Sequence, residues 1–190
     1  MRLKGIIGFI AVMLLFMPYS YAFSWQEDID AATVDPIKTY EVYRGMSMEE
    51  LRTAWGNVPG WHVETWEKQD EESSVDYSAI FQKDGRTPDK VREVFVVDYT
   101  KEYGIVGSHI HFFTTDIKTA HKIVDYAGKR INRLTKHAGS WHTTQAYGGE
   151  YTSSSWGGKW NGAQYHMNLT LLYTTFKYNN KREYCVVIAK

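Results

Sequence analysis

The 190-residue sequence predicts an α+β fold in which an antiparallel β-sheet carries helices packed on one face. Three observations support this. Apolar residues recur at helical spacing through residues 116–137. Several other segments alternate apolar and polar residues with a period of two. A helix-capping signature, Ser47-Met48-Glu49-Glu50, opens a shorter helix nearer the N-terminus.

Residues 1–22 read as a cleavable secretory signal. Arg2 and Lys4 precede an uncharged run from Gly5 to Met17, and Ser20 and Ala22 put small residues at −3 and −1 of a cut after Ala22. The apolar run is shorter than the roughly 20 residues that span a bilayer. The expectation is therefore a secreted or periplasmic protein beginning at Phe23. No cysteine lies near the cut, so no lipid anchor is expected. Residues 23–44, acidic and weakly patterned, read as a lead-in segment.

From residue 45 the order is helix then strands, twice: one unit at 45–114 and a second at 115–190, read as tandem units. In the first, the Ser47 hydroxyl accepts from the Glu50 amide while the Glu50 side chain reaches back, and a helix runs to Trp55 with Gly56 and Pro59 ending it. Val75–Gln82 alternates, with Tyr77, Ala79 and Phe81 on one face. Asp84-Gly85 begins a turn. Val91–Tyr99 is apolar on both faces in its middle, as a central strand is, and Ile105–Thr114 is a further strand. In the second unit, Ile117, Ala120, Val124, Ala127, Ile131 and Leu134 form the helical stripe, with Gly139 expected to end the helix. Glu150–Trp156 and Lys159–Phe176 flank Gly157-Gly158, read as a hairpin turn, with Asn161-Gly162 read as a bulge. Tyr165, Met167, Leu169, Leu171 and Tyr173 alternate as a core-facing set. Asn179-Asn180 turns into a last strand, Arg182–Ala189.

The letters Gly45-Met46-Ser47-Met48-Glu49-Glu50-Leu51, followed by Trp55-Gly56-Asn57-Val58-Pro59, resemble the opening helix motif of the small outer-membrane assembly lipoproteins of the SmpA/OmlA (BamE) type. The doubled helix-then-strands order resembles the β-lactamase inhibitory protein fold, which binds its target with the open sheet face. These resemblances imply an α+β fold and a protein partner. The lipobox cysteine of the lipoproteins and the disulfides of the inhibitor are both absent, since Cys185 is the only cysteine.

Composition narrows the function classes. Without residues 1–22 the chain loses Arg2 and Lys4, leaving 20 basic against 22 acidic residues. That balance, with no basic block, argues against a nucleic-acid partner held through phosphates. All seven Trp lie after residue 22, enough large apolar surface for a substantial core. Cys185, in Tyr184-Cys185-Val186-Val187-Ile188, reads as a buried structural thiol.

Candidate binding residues fall in two groups. Tyr151, Trp156 and Trp160, with Trp141 and Tyr147, offer an aromatic platform of the kind that stacks on sugars or anchors a protein interface. His109 and His111 share one strand face, and His166 falls on the corresponding face of a later strand, together with Asn168 and Thr170. Two histidines alone do not make a zinc site, which needs a third or fourth ligand, so no metal or other cofactor is expected. The acidic run Glu64, Glu67, Asp70, Glu71, Glu72 lacks calcium-loop spacing and reads as a solvated loop. Asn168-Leu169-Thr170 matches a glycosylation pattern inside a core strand. No catalytic motif is present. The sequence therefore points to an exported, non-enzymatic binding domain with a protein partner. A glycan-binding module using the Trp/Tyr hairpin is the second reading, and a hydrolase or metalloprotein using the histidines is the third.

Overall fold

The computed structural model describes residues 24–55, 60–68, 74–83, 89–146, 149–176 and 181–190. The expected signal, Gly56–Pro59, Asp70–Glu72, Tyr147 and the turns at Asp84-Gly85 and Asn179-Asn180 lie outside the described residues. The strands are β1 (Trp61–Lys68), β2 (Tyr77–Lys83), β3 (Arg92–Thr100), β4 (Gly104–Thr114), β5 (Ser140–Ala146), β6 (Gly149–Trp160), β7 (Ala163–Phe176) and β8 (Lys181–Ala189). All pair antiparallel in one sheet, in the order β1-β2-β3-β4-β8-β7-β6-β5. Two four-stranded meanders thus meet at their last strands, β4 and β8. The helices are α1 (Trp25–Ala32), α2 (Met48–Trp55) and α3 (Ile117–Thr135). No helix among the described residues is long and apolar enough to cross a membrane.

The core lies between one face of this sheet and the helices. Ile110, Phe112, Met167, Leu169, Val186 and Ile188 of the central strands meet Ala120, Ile123, Ala127 and Ile131 of α3. Burying each branched side chain contributes about 1.5–3 kcal/mol. The stripe predicted for α3 holds from Ala120 to Ile131, with Leu134 half-buried against the core. Ile117 at its start is 38% exposed, and Ile123, outside the stripe, is fully buried. Asp116 caps α3 by accepting from the amides of Lys118 and Thr119. The helix closes at Lys136 in a left-handed conformation, three residues before the expected Gly139. At α2 the capping box forms as read: Glu50 N–H donates to Ser47 Oγ (3.2 Å) and Ser47 N–H donates to Glu50 Oε2 (2.7 Å). Trp55 stacks on Phe95 at 4.6 Å, with Phe81, Tyr40 and Trp61 against it.

Several boundaries differ from the sequence reading. The lead-in segment is part of the core: Trp25, Ile29 and Ala32 of α1 are buried, and Trp25 meets Tyr126 of α3 edge-to-face at 5.6 Å. Eight residues are two turns of helix, too short for periodicity to stand out among acidic neighbours. The Lys190 ammonium further pins the chain after α1 by donating to the carbonyls of Ala32, Asp35 and Lys38. β1 runs through Glu64 and Glu67, which had read as loop. A bulge between Val63 and Thr65 breaks its alternation. β5 also went unread. The hairpin assignments exchange places: β6 continues through Gly157-Gly158 to Trp160, and the turn is Asn161-Gly162, both at positive φ (49° and 86°). A two-residue turn of the primed type needs that conformation at both central positions, which Asn-Gly supplies.

Candidate functional site

Strand alternation gives the sheet a second face, and among the described residues no helix packs on it. Pairing registers lay its side chains out in rows across the strands. One row runs Ile80, Val96, His109, Ala189, Asn168, Ser155. The next runs Val94, His111, Val187, Thr170, Ser153, His142. The third runs Arg92, Phe113, Cys185, Leu172, Tyr151, Thr144. On β3, β4 and β8, Val94, Phe113 and Cys185 are buried, with Ile80 of β2, Val96, Val187 and Leu172 of β7 half-buried against them, beside the polar side chains of Ser78, Asp98, His109 and His111. On β5, β6 and β7 the face carries the hydroxyls of Ser153, Ser155 and Thr170, the amide of Asn168 and the imidazoles of His142 and His166. His109, His111, His166, Asn168 and Thr170 therefore share one face, as read from the sequence.

The aromatic platform does not assemble. Trp156 is 2% exposed and faces the helices, where its indole N–H donates to Asn132 Oδ1 of α3 at 2.9 Å. It is a core ring, and its assignment as a binding residue is corrected accordingly. Alternation along β6 places Trp160 on that same helix-covered side, half-buried near the turn, while Tyr151 stays on the open face with its hydroxyl 3.5 Å from Thr170 Oγ1. Trp141, on β5, is 47% exposed. The reason lies in parity: Trp156 pairs with Met167, residues opposite each other in a strand pair share a face, and the ring therefore follows the core-facing set of β7.

The polar groups of the open face form a short network. His109 Nε2 lies 3.1 Å from Asp98 Oδ2, and Ser78 Oγ donates to Asp98 Oδ1 at 2.7 Å. Burial opposes ionisation of Asp98, but the hydrogen bond and charge of His109 and the Ser78 hydroxyl outweigh it, and the carboxyl sits below its ordinary value. The Ser78 hydroxyl and the His109 imidazole thus both bear on the Asp98 carboxylate. His111 stacks on His109 at 5.9 Å between centroids, and burial pushes its imidazole down to about 3. Its Nδ1 is 3.9 Å from Cys185 Sγ, whose thiol burial pushes up. A neutral imidazole beside a protonated thiol is the reverse of the ion pair that a cysteine nucleophile requires. No group of three or more metal-ligating side chains converges among the described residues.

A second polar cluster, unread from the sequence, lies under the helices. Lys83 of β2 pairs with Asp28 of α1 and lies 3.4 Å from Glu93 Oε2 of β3, and Tyr40 donates to Asp28 Oδ1 at 2.9 Å. Glu93 is 2% exposed and its Oε1 meets no donor. Burial, then the hydrogen bond and charge of Asp28, raise its carboxyl to about 9 against the pull of Lys83. Glu93 is therefore protonated at neutral pH, and the cluster holds one carboxylate against one ammonium. The only sequence signal for it was a polar residue at a core-facing position of a central strand. Elsewhere, the end of β8 leaves a cleft of about 190 Å³ between β4 and β7, bordered by Tyr43, Arg44 and His166.

Comparison with known protein families, with characterised proteins and with solved structures gives no match to this chain.

Proposed function

We propose that this chain is an exported, non-enzymatic binding domain that receives a protein partner on the helix-free face of its sheet. The observation that carries this reading is the half-exposed apolar band of Ile80, Val96, Val187 and Leu172 beside a hydroxyl-rich half. Protein interfaces combine such an apolar centre with a polar surround. The protonation states at Cys185 and His111 support a binding role over covalent catalysis. The uncharged run at residues 5–17 supports export with loss of residues 1–22. The strand order supports two tandem units, α2 with β1–β4 and α3 with β5–β8, because a two-fold relation between them would bring their last strands together as β4 and β8 are. Glycan binding through the aromatic hairpin has less to work with, since Trp156 is a core ring.

The test is photo-crosslinking in intact cells, with the reactive group placed at the exposed Ser155 on the open face or at Lys122 on the outer side of α3. A discrete protein adduct from Ser155 and none from Lys122 is the expected result. Adducts from Lys122 alone, or from neither, would reject the open face as the docking surface.

A further inference from the structure

The sheet has two edges, and they are built differently. At one end, β1 carries Glu64, Glu67 and Lys68 in its sequence and a bulge between Val63 and Thr65. Charges and bulges are the devices by which sheets keep foreign strands off an edge. At the other end, β5 reads Ser-Trp-His-Thr-Thr-Gln-Ala, with no Asp, Glu, Lys, Arg or Pro. Its seven residues pair with β6 in unbroken register, Ser140 with Ser155 through Ala146 with Gly149. The side chains of residues 140–145 are exposed or nearly so, Trp141 at 47%. The outward row of backbone N–H and C=O groups on a regular edge strand is a template for another strand. Tryptophan and threonine also suit it to sheet pairing.

We propose that the outer edge of β5 is a strand-pairing interface for a second copy of this chain. An edge strand can always meet its own copy antiparallel about a two-fold axis, so that each residue pair occurs twice. Because β5 is uncharged, it meets no like-charge repulsion on itself. It also offers no charge with which to select a different strand. Centred on Thr143, the pairing sets Thr143 against Thr143, His142 against Thr144 and Trp141 against Gln145. Threonine pairs are favourable across strands, and the exposed indole gains cover. The axis stands perpendicular to the sheet, so the two helix-free faces fall on one side of a continuous sixteen-stranded sheet. A partner that recognises that face would then meet two copies of it. The interface is small, and the dimer is expected in the micromolar range or weaker.

Sedimentation equilibrium of the exported chain, from about 5 to about 500 µM, is the first test, and a concentration-dependent dimer is expected. Thr143→Lys and Thr143→Glu each place like charges across the axis and should weaken the dimer at least tenfold. Melting temperatures close to the parent's would establish that both variants fold. Mixing the two variants in equal amounts sets lysine against glutamate and should restore the dimer. A parent that stays monomeric at about 500 µM overturns the proposal. So does a Thr143→Lys variant that dimerises as the parent does, or a mixture that remains monomeric.

Discussion

Replacing Glu93 by glutamine tests whether the buried cluster carries a protonated carboxyl. Burial, then Asp28, raises the Glu93 carboxyl from its ordinary 4.5 to about 9 in the folded chain. The folded pKa lies above the unfolded one, so the folded protein binds this proton more tightly. The stability it supports is complete below about pH 4.5, falls as pH rises, and is gone above about pH 9. At about 1.36 kcal/mol per unit, folding against that proton costs roughly 3 kcal/mol by pH 7. That is a large share of the 5–15 kcal/mol typical of a domain. In Glu93→Gln the amide is neutral throughout and can donate to Asp28 as the carboxylic acid does, while Lys83 keeps Asp28 as its partner. Urea unfolding at pH 5.5, 7.0 and 8.5 should therefore give a stability gap in favour of the variant that widens with pH, by of order 1 kcal/mol per unit. If the gap does not change with pH, or if the variant is the less stable protein at pH 8.5, Glu93 is ionised in the folded state and Lys83 is shared between two carboxylates.

Three further substitutions or treatments probe the same core and caps. Trp156→Ala should cost about 3–5 kcal/mol in thermal or urea unfolding, because it empties a fully buried site and strands Asn132; a neutral effect would return this ring to the surface. Ser47→Ala should cost about 1 kcal/mol by removing one half of the capping box, measurable as a fall in urea midpoint at unchanged slope. Cys185 should stay unreactive toward a thiol reagent such as Ellman's in native buffer and titrate fully in denaturant, since burial suppresses its thiolate; rapid labelling of the native protein would contradict that burial.

Much of the architecture was legible because it repeats. The stripe of α3 and the alternation of β7 each sample one face four or more times, and a repeated signal survives one or two exceptions. The capping box was legible because its two residues contact each other across three positions. α1, β1 and β5 were not. Each is short or interrupted: two turns at Trp25–Ala32, a bulge at Val63–Thr65, and in β5 an edge strand whose polar residues leave no alternation to read. Of the proposed binding residues, His109 and His111 lie on the helix-free face, where alternation along β4 had put them. Trp156 was misplaced although parity was available: its partner is Met167, with the turn set four residues early it would be Lys159, and both fall on the core-facing parity of the strand read over Lys159–Phe176.

By itself the sequence determined what depends on neighbours along the chain: the helix caps, the period of each long element, the antiparallel α+β class and the alternation that puts His109, His166 and Thr170 on one face. The tertiary structure decided what depends on partners distant in sequence. It joined β4 to β8 at the centre, brought Asp28, Lys83 and Glu93 together from α1, β2 and β3, and turned Trp156 inward onto Asn132. It also left β5 at an edge, with no strand among the described residues on its outer side. Local rules act within a few residues and cost little to satisfy anywhere. Which strands become neighbours depends on the loop-closure entropy and core burial of the whole chain at once, and no single segment encodes that balance.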